Sequence, residues 1–144
     1  MKSITRRDLM KSSMAAGAVM ALPFSQVRGA NNEIRVGVAG IRGQGRSHIG
    51  NFHSTAGVRV VALCDVDGNI LDREVKRFKD RNEKVESYID CRKMLEDKSI
   101  DVVSIATPDH WHVPLAAHSV VAGKDVYVEK PLSHTISERS EERR

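Results

Sequence analysis

Four short stretches of this 144-residue chain carry side chains whose types and spacing suit chemistry: GVAGIRGQG (37–45), ALCDVD (62–67), ATPDHWH (106–112) and VEKP (128–131). The first is a glycine-rich turn. Aligned on the pattern GxGxxG, Gly40 takes the first place and Gly45 the third, with Arg42 in the second. The first glycine allows a tight turn, and the third lets a helix pack closely on the preceding strand. The second normally lets the backbone approach a pyrophosphate, a freedom Arg42 removes unless Gly43 takes over the turn. The Arg42 guanidinium offers a compensation, because its fork suits bidentate contact with phosphate. Gly40, Ile41, Arg42, Gly43 and Gly45 are therefore the expected phosphate-side residues.

An acid stands at the distance this chemistry needs. Asp65 follows Gly45 by twenty positions, at the end of an apolar run. Its carboxylate suits the ribose hydroxyls of an adenosine and repels a 2′-phosphate, so NAD is expected over NADP. Its simpler role is to cap a strand end. Thr107 and Lys130 lie at the ends of two later apolar runs. A lysine so placed holds an alkoxide-like oxygen electrostatically, or acts as an acid where burial lowers its pKa. Its plainer reading is a surface charge paired with Glu129. His110 and His112 form an HxH pair, but no third ligand has suitable spacing, and no metal is expected. His48 and His53 read as packing or solvated residues, and Trp111 as a packing or cleft-wall residue.

These groups need a frame, and the chain alternates strand and helix to supply one. EIRVGVAG from Glu33 reads as strand one, with a helix starting at GQGRSHIGNF. VRVVALCDVD (58–67) is nearly continuously apolar, as a parallel strand covered on both faces should be. Ile70, Leu71, Val75 and Phe78 share one helical face. VESYI (85–89) reads as a short third strand before a helix around CRKMLEDK. DVVSIATP (101–108), the helix HVPLAAHSVVAG closed by Gly123, and DVYVEKP (125–131) complete the series. The expected class is α/β, a doubly wound parallel sheet of Rossmann type. Cys64 falls in a buried strand, so it and Cys91 are expected to be free thiols.

Charge locates a separate segment. The chain has 23 Lys+Arg and 19 Asp+Glu, a formal net charge of +4. Residues 1–29 hold five basic residues and one acid, whereas 18 of each sign follow from Ala30 onward. The positive excess therefore does not form a patch on the folded part, and 4% aromatic content offers few platforms for bases. Nucleic acid is not an expected partner. MKSITRRDLMK, followed by the apolar MAAGAVMALPF (14–24), has the positive start and short apolar core of an export signal. That core is too short to span a bilayer. The paired Arg6 and Arg7 direct it to the twin-arginine machinery, which exports folded proteins, with the periplasm or beyond as destination. Cleavage is expected near Gly29.

GVAGIRGQGRSH, ALCDVD, ATPDHWH and EKPLS, in this order, resemble the N-terminal domain of the Gfo/Idh/MocA oxidoreductases over about residues 33–138. The resemblance implies that Thr107 and Pro108 lie against the cofactor, with His110 a cofactor-contacting polar residue. Glu129-Lys130-Pro131 matches the family's EKP motif, which implies that Lys130 stands near nicotinamide and substrate as the catalytic lysine, with Glu129 beside it. The implied domains are a signal at 1–29, a dinucleotide-binding domain at 30–138 and a charged, disordered tail at 139–144. The implied substrate is a sugar, polyol or related carbohydrate, and oligomerisation stays open.

The family also has a second α/β domain that forms the other wall of the substrate site. After the family-like SHTIS the sequence turns polar and charged, so a truncated product of a frameshift or early stop is expected. Two alternatives stand beside hydride transfer. One is a non-catalytic NAD-binding module or non-functional fragment; the other is a relative that uses NAD transiently in glycoside cleavage.

Overall fold

Apolar runs covered on both faces belong in the middle of a sheet, and that is where they sit. The structure is a computed structural model and describes residues 33–133. The export signal and the charged tail lie outside the described residues. The elements are β1 (Ile34–Ala39), α1 (Gly43–Ser54), β2 (Val58–Cys64), α2 (Gly68–Asp80), β3 (Glu86–Tyr88), α3 (Cys91–Glu96), β4 (Val102–Ile105), a 3₁₀ turn (Asp109–Trp111), α4 (His112–Val121) and β5 (Asp125–Val128). All strand pairings are parallel, in the order β3-β2-β1-β4-β5. The order reverses direction between β1 and β4, the position where open α/β sheets place their ligands.

Two apolar layers flank the sheet. On one face, Ile49 of α1 and Leu71 and Phe78 of α2 pack against Val36, Val38 and Val60. Ile70 and Val75 pack against the same cluster, completing the expected face of α2. On the other, Met94, Leu95, Leu115 and Ala116 of α3 and α4 cover Val103 and Ile105. Helices on both faces make the architecture doubly wound, as the alternating pattern requires.

Local chemistry sets the boundaries. Asp67 accepts the Asn69 N–H at 3.0 Å and caps α2, and Asp90 accepts the Arg92 N–H at 2.9 Å and caps α3. Gly123 and Lys124 donate back to Val120 and Ser119, closing α4 with paired terminal bonds. The Lys124 ammonium then donates to the Asp97 and Ile100 carbonyls, tying this end to the loop before β4. β5 stops at Val128, short of the expected 131. The Glu129 N–H still reaches the Ile105 carbonyl at 2.9 Å, but its side chain turns toward α1, and Pro131 has no N–H to continue the ladder. Cys64 and Cys91 are free thiols, and burial pushes the Cys64 thiol up to about 12.

At the amino ends of the two neighbouring interior strands, Arg35 of β1 holds Asp101, the residue before β4. The guanidinium donates to both carboxylate oxygens at 2.8 and 3.0 Å, and the Arg35 backbone N–H adds a bond at 2.9 Å. The Arg35 hydrogen bonds keep the Asp101 pKa below the usual aspartate value, against a smaller opposing effect of burial. A carboxylate whose folded pKa is depressed contributes stability that is present above its unfolded pKa. That stability is lost as pH falls through the lower folded value. Asp101→Asn should therefore flatten the acid limb of a urea-melt series between neutral pH and about pH 3. An acid limb identical to that of the parent would refute this role.

Candidate functional site

The glycine turn places its backbone within reach of β4. Gly40 has φ +79°, and a Cβ there would lie 2.6 Å from the Ala106 carbonyl oxygen and 2.8 Å from the Thr107 nitrogen. Gly45 is tighter still, since its Cβ would fall 1.7 Å from the Gly40 carbonyl oxygen. Only hydrogen fits at either place. Gly43 adopts φ +37° while Arg42 keeps an extended backbone, so Gly43 supplies the unusual conformation that Arg42 does not. The Arg42 side chain pairs with Asp67 at the mouth of α2. It is thus anchored on the β2 side of the turn.

Asp65 stands beside this turn. Its carboxylate accepts the Ile41 N–H at 3.1 Å and the Asp67 N–H at 3.0 Å, holding the glycine loop against the end of β2. An ionised carboxylate offers about four acceptor positions, so Asp65 retains acceptor capacity for two hydroxyls. Thr107 follows β4, and its hydroxyl oxygen is buried without a hydrogen-bond partner. Pro108 and His110 are exposed, His110 on the 3₁₀ turn with its ring 6.3 Å from that of Trp111. The Pro108 carbonyl accepts the Trp111 N–H at 2.9 Å, which closes this turn. Lys130 is exposed just beyond β5, next to Glu129.

Two histidines prove more central than their spacing suggests. His48 is buried, with Nε2 2.8 Å from Glu129 Oε1 and Nδ1 2.9 Å from Ser104 Oγ. Gln44, one turn earlier on α1, reaches the same Glu129 oxygen at 3.3 Å. The bond from His48 is the chief reason the Glu129 pKa lies below its usual value, with burial opposing and the Lys130 N–H and Gln44 assisting. Glu129 is thus committed to α1 rather than to the Lys130 ammonium. The i, i+4 spacing of Gln44 and His48, and a serine inside the apolar run of β4, were the available signals for this set. His112, read as half of an HxH pair, is also buried. It lies between the Thr107 carbonyl at 2.9 Å and the Pro131 carbonyl at 2.7 Å. No group of three or more His, Cys, Asp or Glu among the described residues is arranged to hold a metal ion.

The residues at the switch point suit a dinucleotide. The first turn of α1 has no acidic residue and no side-chain cap, so its N–H groups remain for a phosphate. The orphaned Thr107 hydroxyl adds a polar group awaiting a partner. The model of an oxidoreductase family with an NAD-binding Rossmann fold, Gfo/Idh/MocA, matches residues 34–142. The chain belongs to this family.

Individual proteins and structures are also similar to this chain. A glycosyl hydrolase family 109 protein from Shewanella sp. strain ANA-3 is 30% identical over 96% of this chain and 36% of its own length. An alpha-N-acetylgalactosaminidase from Shewanella oneidensis is 36% identical over 73% of this chain and 24% of its own. The structure also resembles myo-inositol dehydrogenase from Lactobacillus casei, solved with NAD(H) and myo-inositol. That likeness has a TM-score of 0.70 and 27% identity, covering 76% of this chain and 32% of that one. The chain therefore spans about a third or less of the length of these relatives. It is an NAD-binding Rossmann domain of that family. A twin-arginine signal matches residues 3–23, which marks the chain for export by that pathway and engages its machinery.

Proposed function

We propose that this domain is the cofactor half of an exported oxidoreductase acting on a sugar, polyol or related carbohydrate. In this reading residues 1–29 are the leader, 30–138 form the dinucleotide-binding domain and 139–144 a charged tail. The observation that carries the site assignment is the buried, unpartnered Thr107 hydroxyl beside the Gly40 turn, at the point where the strand order reverses.

Each residue then has a task. Gly43 and Gly45 bring backbone N–H groups to the pyrophosphate, Gly40 and Ile41, whose own N–H groups are held by the Cys64 carbonyl and by Asp65, shape the turn that admits it, and Arg42 adds positive charge at its edge. Asp65 accepts from the ribose and disfavours the extra phosphate of NADP. Thr107, Pro108 and His110 line the nicotinamide side. NAD, when bound, exchanges a hydride with the substrate carbon. The Lys130 ammonium faces the reacting oxygen and stabilises the negative charge that develops there, while Glu129 holds the lysine's backbone in place.

The test uses the full chain. Saturable quenching or enhancement of Trp111 fluorescence is expected with NAD, and much weaker binding with NADP. Thr107→Val should weaken NAD binding by about fivefold, because one hydrogen bond of about 1 kcal/mol is lost. The same change should leave the thermal midpoint unchanged or raised, since it removes a buried polar group that lacks a partner. A folded chain that fails to bind millimolar NAD would overturn the proposal.

A second reading is favoured by the names of the Shewanella relatives. In it the same half serves glycoside cleavage, with a sugar carbon oxidised and then reduced again so that no net redox change results. Accumulation of reduced cofactor distinguishes the oxidoreductase. Aglycone release without net reduction of the cofactor distinguishes the glycosidase.

A further inference from the structure

We infer that His48 is a positioning residue for Lys130: it holds the Glu129 carboxylate so that this carboxylate tethers the Lys130 backbone to the helix that begins at the glycine turn. The inference rests on the reading of Lys130 as the residue that acts at the substrate oxygen. The connection is continuous. Ser104 Oγ lies 2.9 Å from His48 Nδ1, and His48 Nε2 lies 2.8 Å from Glu129 Oε1. The other oxygen of that carboxylate, Oε2, accepts the Lys130 backbone N–H at 3.2 Å. Each residue belongs to a different element: Ser104 to β4, His48 to α1, and Glu129 to the segment just after β5.

Hydrogen-bond chemistry gives the chain a direction. An ionised carboxylate only accepts, so Nε2 carries a hydrogen and donates to Glu129. In the neutral ring Nδ1 then accepts from the Ser104 hydroxyl. The imidazole satisfies both neighbours in one tautomer. Its plane is held by edge contacts with Phe52 and Tyr127, whose ring centroids lie 6.1 and 5.4 Å away. Serine, histidine and carboxylate are also the parts of a hydrolase triad, but Ser104 is fully buried within the sheet and meets no substrate. A role confined to filling space is met by an apolar ring. This ring instead directs its outward bond to the residue before Lys130.

The groups facing the Glu129 carboxylate are His48 and Gln44 from α1 and the Lys130 backbone N–H. The tether therefore exists above the depressed folded pKa of Glu129 and is lost as pH falls through it. The test follows the Lys130 backbone amide of the full chain by ¹H–¹⁵N NMR. In the parent its shift should titrate with a midpoint below the ordinary glutamate range. In His48→Ala that midpoint should rise toward the ordinary range, and His48→Gln, which restores an N–H donor, should bring it part of the way back.

Glu129→Gln should abolish the titration. It should also speed exchange of the Lys130 amide by about tenfold, whether or not His48→Ala folds. A parent amide that does not titrate would overturn the inference. So would a midpoint unmoved in a folded His48→Ala chain, or amide exchange unmoved in Glu129→Gln. NAD titration of the same samples separates the two readings. Loss of binding with the Lys130 titration intact counts against the cofactor assignment and leaves the tether standing.

Discussion

Gly45→Ala is expected to abolish NAD binding and to lower the thermal midpoint by at least ~12 °C. The added Cβ would sit 1.7 Å from the Gly40 carbonyl oxygen and 2.8 Å from its carbon. Both are backbone atoms in a turn that already has φ +79° at Gly40 and approaches the Ala106 carbonyl. No side-chain end can rotate out of the way. Relief requires α1 to lift from the sheet, which pulls Ile49 from its cluster and moves His48 away from Glu129. Overpacking of this kind costs about 3 kcal/mol or more, and each kcal/mol lowers the midpoint of a domain this size by ~4–8 °C. Gly50, in the same helix, supplies the control because a Cβ there meets nothing within 4 Å. Gly50→Ala should be neutral or stabilising by about 0.4–1 kcal/mol. Thermal melts by circular dichroism with parallel NAD titrations decide it. Parental melting and binding in Gly45→Ala would show the turn to be looser than its geometry requires.

His112→Ala should lower stability by about 3 kcal/mol, the second largest effect expected. The ring is 1% exposed and lies between two main-chain carbonyls, Thr107 after β4 and Pro131 after β5. Carbonyls only accept, so both contacts are hydrogen bonds at once only when both ring nitrogens carry hydrogen. Removing the ring leaves two carbonyls without this partner and a void beneath the loops that hold Thr107 and Lys130. The urea midpoint should therefore fall, and NAD should bind more weakly as both loops loosen. His112→Phe fills the space but supplies no donor, so it should recover only part of the loss. An unchanged urea midpoint in His112→Ala would show that neither carbonyl depends on this ring.

The elements themselves were legible because apolar runs and helical faces are local. VRVVALC and VVSI are continuous enough to be central strands, and Leu71 and Phe78 recur at helical spacing. The glycine turn announced the start of α1, and Gly123 the end of α4. What stayed hidden depends on pairs distant in the chain. His48 meets Ser104 across 56 residues and Glu129 across 81, and no spacing rule connects such positions. His112 was misleading for a related reason. Its neighbour His110 suggests a pair, whereas the strand-to-helix geometry turns one ring inward and leaves the other exposed. Arg42 illustrates a third limit: its charge suited a phosphate, but the structure adds Asp67, the cap of α2, as its partner.

The strand order also sets a timetable for synthesis. β1 is made first, yet its partner β4 begins only at Val102, and β5 follows that. At ~5–20 residues per second the ribosome needs roughly 3–13 s to deliver β4 after β1. Throughout that interval the export signal at residues 3–23 is already available, while the middle of the sheet has one edge unpaired. A pathway that accepts folded cargo must therefore wait on the later strands rather than on the appearance of its own signal. Slow codons placed between Ala39 and Val102 should consequently lengthen the lag between emergence of the signal and export, whereas the same codons in the leader should not.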